Sequence, residues 1–463
     1  MTFRSRTGLA LLLTAALTAS GCSTVSRLNP FPKKEAPGEV ASEGERIAII
    51  AFDQKVEAAE ALKGADFFLP DPVAVTQWSL PGGTLENSVE HVAAGGDLSI
   101  AWKRGFGKGS DRGAHVTAPP VAANGKIFVM DGEATVSAHD AQSGAEVWKV
   151  DLRPEGKRDK EAFGGGVAIA DGKLYVASGY RFVAQLNADT GAVGWKVKTE
   201  QPIHAAPTVS GGRLFVVAVD NTLLTYDTAN GTPSWTYQAL SESSRILGAS
   251  SPAVSGDTLV ASFGSGELVA LRAANGNDLW NEALSRASRN NALSEIRDIP
   301  GRPVIYQGDV FAVSHSGVFA ATDLRTGQAR WTLPITGITT PWPAGDVVYV
   351  VDKTGQVICV ARESGQIYWI RDLSVGRGKA KGGMMGLSLG RKKYVSKPVW
   401  SSPLLASGKI ITVSNQGELV ALNAKTGAVE KTMNLGSSVL LGPIAVNGAI
   451  YIATDEAQLI ALR

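Results

Sequence analysis

Cysteine is almost absent: the 463-residue chain has two, Cys22 and Cys359. With the first read as acylated, as argued below, no intramolecular disulfide can form, and packing alone must hold the fold. Histidine is nearly as scarce. His91, His115, His139, His204 and His315 are scattered, with no pair at the three- or four-residue spacing that suits zinc. His139 stands in a repeat slot filled elsewhere by Leu186, Tyr226 and Leu271, which points to a packed structural ring. Charge of one sign is missing too. Lys and Arg number 45 against 43 Asp and Glu, which argues against a nucleic-acid partner. No Gly-x-Ser-x-Gly, His-Glu-x-x-His or Walker sequence occurs. Gly105-Phe-Gly-Lys-Gly109 looks like a phosphate loop, but Pro119-Pro120 and a strand follow it where a phosphate site needs a helix N-terminus.

A long apolar run is also lacking. The apolar stretch Leu9-Ala-Leu-Leu-Leu-Thr-Ala-Ala-Leu17 follows Arg4 and Arg6 and is too short to span a bilayer as a helix. It ends in Ala19-Ser-Gly-Cys22 and reads as a signal peptide over residues 1–21, with Cys22 as the lipidated residue. The motif resembles the bacterial lipobox, with Ala19 where Leu is usual. An ordinary secretory signal that leaves Cys22 as a free thiol is the alternative. Residues 22–45 are rich in Ser, Pro, Lys and Glu, the composition of a flexible tether. Residues 46–98 form an N-terminal extension, with a short strand at 46–52, a short helix at 54–63 and a proline- and glycine-punctuated crossing loop.

What the chain has in abundance is one phrase. Ala138-His-Asp-Ala-Gln-Ser-Gly144-Ala-Glu-Val-Trp148 returns six more times, with turn glycines at Gly191, Gly231, Gly276, Gly327, Gly365 and Gly427. Steps of 38 to 62 residues between those glycines suit four strands per unit. Before each glycine come a Gly or Asp-Gly turn, a β-branched and aromatic run such as Leu174-Tyr-Val or Val347-Val-Tyr-Val, a polar hairpin and a second strand. The glycine permits a positive-φ turn. The tryptophan four residues on, as at Trp148, Trp195, Trp235, Trp280, Trp331 and Trp369, gives a flat surface to wedge between sheets. One unit cannot bury both faces alone, so the units must stack.

The ends of the chain imply a closed ring. It stops at Ile460-Ala-Leu-Arg463, where a further copy would continue into its Trp strand, while Ser99-Ile-Ala-Trp102 is a Trp strand with no repeat before it. The residues opening each unit, Pro120, Val167, Pro207, Pro252, Pro303, Pro341, Pro403 and Pro443, count eight. The expectation is an all-β, eight-bladed β-propeller of four-stranded antiparallel blades over residues 99–463. Its last blade is closed by an N-terminal strand, and Trp102 joins the blade-docking tryptophans.

The Ala-x-Asp-x-x-Thr-Gly-x-x-x-Trp phrase resembles the quinoprotein (PQQ-type) propeller repeat. Joined to a lipobox, the chain is similar to the BamB family, propeller lipoproteins of the outer-membrane β-barrel assembly machinery. That resemblance implies a non-catalytic scaffold without a cofactor. It would be anchored at the periplasmic face of the outer membrane and would hold the POTRA region of the barrel-assembly subunit (BamA-like), together with other assembly lipoproteins. The family's partner loops map by position onto 241–248 and 291–299, and so onto Arg245, Ile246, Leu247, Glu295, Ile296, Arg297 and Asp298. The other reading is a PQQ-dependent quinoprotein or a ligand-binding propeller. Against it, adjacent cysteines are absent, and Asp131, Asp220, Asp352 and Asp455 sit at one equivalent hairpin, where turn chemistry accounts for them. An insertion, 371–397, carries eight basic residues against one acid. It is read either as a solvated face or as a contact with anionic lipid or an acidic partner.

Overall fold

Eight four-stranded antiparallel sheets make up the computed structural model, which describes residues 56–154, 164–241, 250–285, 296–377, 379–380 and 395–463. Blade 1 consists of Val121–Ala123, Lys126–Met130, Thr135–Asp140 and Glu146–Asp151, paired in that order from the axis outward. Blades 2 to 7 repeat the plan over 165–198, 208–238, 253–283, 304–333, 342–372 and 404–434. Innermost strands of neighbouring blades lie side by side around the axis, blade 1 against 2 and 2 against 3, blade 4 against 5 and 5 against 6.

Blade 8 takes three strands from the C-terminus, Ile444–Val446, Ala449–Ala453 and Gln458–Leu462, and its outer strand from Ile100–Gly105. Trp102 faces Ala461 across that pairing, and its ring lies 5.9 Å from Tyr451. The terminal edge that an open ring would leave unpaired is thereby covered.

Burial explains the order of strands in each blade. Inner and middle strands such as Val347–Val351 are buried along their whole length, so their sequences are continuous apolar runs. Outer strands such as Glu146–Asp151 alternate between exposed and half-buried residues, and carry charge on the open side. The core is a series of layers between blades rather than one centre. One cluster joins Phe128 and Val136 of blade 1 to Leu174 and Val176 of blade 2, and another joins Phe311 of blade 5 to Val348 and Val350 of blade 6.

The N-terminal extension departs from expectation. The helix expected at 54–63 is a single 3-10 turn at Glu60–Leu62, with no side-chain cap and no buried residue. Val56 packs on the core between blades 5 and 6, but the Ala- and Glu-rich residues after it offer too little apolar surface to hold a longer helix. The strand expected at 46–52 lies outside the described residues, as do the signal peptide, Cys22 and the tether.

The crossing loop proves to be a plug. Trp78 exchanges backbone hydrogen bonds with Ala122 on the inner strand of blade 1, at 2.7 and 2.8 Å. The carbonyl of Ser79 accepts from Ile169 of blade 2, that of Leu85 from Val254 of blade 4, and that of Glu86 from Ile305 of blade 5. Glu90 accepts from the Trp342 indole of blade 6, and the Val92 amide donates to Leu405 of blade 7. Trp78 is buried and stacks on Trp342, three blades round the ring from Ala122, so its indole spans toward the blade 6 side while the backbone follows the inner strands round the ring. Among the described residues no helix is long and apolar enough to cross a membrane.

Candidate partner-binding rim and channel mouth

The two connections singled out by sequence, after blades 3 and 4, are anchored on one hairpin of blade 4. Glu267 opens the third strand of that blade and is buried. Its carboxylate accepts from the Leu240 amide (2.7 Å), the Ser265 hydroxyl (2.7 Å) and the Asn281 amide group (2.9 Å). Asn221 completes the clamp by donating to the Leu240 carbonyl (2.7 Å) and accepting from the Gly264 amide (3.1 Å). Both backbone groups of Leu240 are therefore fixed, while its side chain is 67% exposed.

On the other side of the same hairpin, the backbone of Arg297 packs on Gly266. A Cβ at that glycine, whose φ is +82°, would come within 2.9 Å of the Arg297 carbonyl oxygen. Arg297 is exposed and Ile296 half-buried. The His315 ring is hydrogen-bonded to the Ile296 carbonyl, and burial lowers its pKa. Arg245, Ile246, Leu247 and Glu295 lie outside the described residues.

Asp298 differs from expectation. Read in sequence as a charged contact for a partner, it is 3% exposed. Its carbonyl accepts from the His315 amide (2.8 Å), and the following Ile299 is buried and bonded to Phe263. The chain is already turning down into the inner strand of blade 5, which carries the Asp298 side chain inward with it.

Leu240 and Glu267 were not singled out from sequence, yet a signal exists. Leu152, Leu284, Leu373 and Leu435 follow the outer strands of blades 1, 4, 6 and 7, and all are buried. Blade 3 has Ala239 in that slot, bonded to Asn221 as Leu284 is to Gly266, so its leucine comes one residue late and faces solvent.

Each repeat tryptophan meets the turn glycine of the next blade. Trp102, Trp148, Trp195, Trp235, Trp280, Trp331 and Trp369 lie against Gly144, Gly191, Gly231, Gly276, Gly327, Gly365 and Gly427 respectively. Five of the indoles donate onward: Trp102 to Gln142 (2.9 Å), Trp148 to Ala188 (3.0 Å), Trp195 to Thr228 (3.1 Å), Trp280 to Leu324 (2.8 Å) and Trp331 to Arg362 (2.7 Å).

The rim connections end in a funnel at the channel mouth, a cavity of about 660 Å³ reached by Ser251, Arg302, Thr340, Ser402, Leu440 and Asp455, with Pro81 of the plug on its wall. Asp455 has its carboxyl pKa raised by burial, against the Ser438 hydroxyl it accepts from. Burial draws the Arg302 guanidinium down to about 10. No cluster of three or more His, Cys, Asp or Glu able to hold a metal occurs among the described residues.

The hairpin aspartates serve turns. Asp131 accepts from the amides of Glu133 and Thr135, and Asp352 from those of Thr354 and Gln356. His139 is buried, with its ring nitrogens on the Ser137 hydroxyl (3.0 Å) and the Gly144 carbonyl (3.2 Å), and burial lowers its pKa. Cys359 is a buried thiol pushed well above its ordinary pKa, the reverse of a reactive one.

The sequence profile of the family described as outer membrane protein assembly factor BamB matches residues 132–371 and 392–463. The chain belongs to the BamB family. The gap in that match falls inside the basic insertion, whose described part includes a two-stranded hairpin, Lys379–Ala380 with Val395–Ser396. Outer membrane protein assembly factor BamB of Escherichia coli (strain K12) is 25% identical over 401 residues, covering 84% of this chain and 96% of the relative. The crystal structure of BamB from Moraxella catarrhalis superposes with a TM-score of 0.66 at 18% identity, covering 79% of this chain and 99% of that one. A europium-containing methanol dehydrogenase has a TM-score of 0.64 at 15% identity, covering 82% and 89%, a likeness of fold alone. BamB and these enzymes thus share a ring whose use differs from one to another.

Proposed function

We propose that this protein is a non-catalytic scaffold of outer-membrane protein assembly. Cys22 would tether it to the periplasmic face of the outer membrane through residues 22–45, after removal of the signal at 1–21. The connections after blades 3 and 4 would hold the POTRA region of the barrel-assembly subunit, with other assembly lipoproteins as further partners. The family profile, which covers more than half the chain, supports the role in assembly. The observation carrying the contact surface is the blade 4 hairpin. Glu267 and Gly266 fix Leu240 and Arg297 on either side of one rigid turn, so an exposed apolar side chain and an exposed cation stand together on a pre-ordered rim. Apolar anchors flanked by charge are what a modest interface needs, and a fixed backbone lowers the entropy cost of using them.

The test is capture of the barrel-assembly subunit by full-length chain carrying Leu240→Asp and Arg297→Glu, with Ile246→Asp plus Glu295→Lys as a second double variant. Loss of capture by both, with circular dichroism spectra unchanged, is expected. Undiminished capture by well-folded forms of both would remove these connections from the interface.

A further inference from the structure

Arg302 stands on the connection into blade 5 and lines the funnel at the channel mouth. Its backbone amide donates to the Thr340 hydroxyl (3.2 Å), which fixes where the side chain starts. Its Nε is shielded from solvent and has no hydrogen-bond partner. The carboxylates on the cavity wall have partners of their own. Asp111 is paired with Lys108 at 2.8 Å, and Asp455 accepts from the Ser438 hydroxyl and feels the nearby His115. Among the described residues no carboxylate pairs with Arg302. Arg302 as a whole is only half-buried, so the part of its guanidinium that lines the cavity is open to a ligand, and a partly desolvated cation without a paired anion gains from an acceptor placed there.

The cavity suits such a ligand. About 660 Å³ holds a small organic molecule. The plug lines the inner strands round the ring and puts Pro81 on the cavity wall, so entry is from the open face. Ile338 and Leu440, 37% and 49% exposed, stand at that opening. Arg is the side chain whose planar fork matches a carboxylate. A phosphate would bring more charge than one guanidinium answers, close to Asp111 and Asp455.

We infer that the funnel is a binding site for a small monocarboxylate with an apolar tail, its carboxylate held by Arg302 and its tail resting on Ile338 and Leu440. Nothing in the scaffold role requires such a site, and the two stand or fall separately.

Isothermal titration of the full-length chain with isovalerate, against its neutral isostere isovaleramide and against inorganic phosphate, tests this. Saturable binding of isovalerate is expected, at least tenfold weaker for the amide and for phosphate. Arg302→Gln should lose at least tenfold in affinity, with a melting temperature equal to or above that of the parent because an unmatched charge has gone. Equal binding of acid and amide, phosphate binding as tight as isovalerate, no saturable binding of isovalerate, or full affinity in a folded Arg302→Gln would each overturn the proposal. Should that variant fail to fold, the acid and amide comparison on the parent chain decides alone.

Discussion

Trp148, on the outer strand of blade 1, lies flat against Gly191, in the turn before the outer strand of blade 2. A Cβ on that glycine would sit 2.8 Å from the indole Cε3. The contact couples a turn, which needs positive φ, to an interface, which needs a face without a side chain. The phrase that recurs in the sequence is therefore the record of one blade-to-blade contact.

Two glycine substitutions separate those needs. Gly172→Ala, at φ +70° with nothing within 4 Å of the new Cβ, should cost only the left-handed backbone penalty, about 1–2 kcal/mol. Gly191→Ala, at φ +74° and against the indole, should cost that plus a further 1–3 kcal/mol, roughly, for overpacking. Denaturant midpoints would measure both. Equal losses would mean that the tryptophan gives way freely.

Closure can be tested at Trp102. Its ring is packed on Gly144 and Tyr451, and its strand covers Gln458–Leu462. Trp102→Ala should cost about 3–5 kcal/mol. Hydrogen exchange should then rise first in the blade 8 amides at 458–462, because the pairing lost is theirs. Faster exchange elsewhere with 458–462 unchanged would count against closure through this residue.

His139 gives a pH dependence with a definite sign. Burial lowers its folded pKa below the ordinary value, so its contribution to stability is present above about 6.5 and is lost as pH falls through the folded value. His139→Leu, the residue found at this slot in blades 2 and 4, should flatten that acid-side loss. It should also lower stability at pH 7.5 by roughly 1–3 kcal/mol, because the buried Ser137 hydroxyl loses its partner. Denaturant melts at pH 7.5 and 5 would show both effects. A slope no flatter than the parent's would assign the pH dependence to other groups.

The ring was legible in the sequence because every blade writes the same constraint. The turn glycine and the tryptophan are fixed by local sterics and by one repeated interface, and seven copies with the unit split between the two ends give the blade count. The plug was not legible, since residues 73–96 hold their place by isolated bonds to inner strands far away in sequence, paired only at Trp78 among those described above, and such bonds leave no periodicity. Asp298 was misplaced for a related reason: a charged residue in a polar connection looks solvent-facing until the path of Ile299 into the core is known. Leu240 was legible in principle, as a leucine one residue out of phase.

The plug makes the last prediction. Trp78 is held three ways, by paired backbone bonds to Ala122, by stacking on Trp342 and by the donation of its indole to Pro81, while a Cβ at Gly83 would come within 3.3 Å of the ring. Trp78→Ala removes a large side chain that reaches from blade 1 to Trp342 of blade 6, at a cost of about 3–5 kcal/mol. The ring itself should survive, because blade-to-blade packing at the glycine and tryptophan contacts does not involve Trp78. The loss should therefore be local. Amides of Ala122 and Ile169, which donate to Trp78 and Ser79, should lose exchange protection, while those of the outer strands, such as Lys149 and Lys196, should keep theirs. Uniform deprotection across all blades would instead make the plug part of the global folding unit, and unchanged protection at Ala122 would show that the segment is held without its tryptophan.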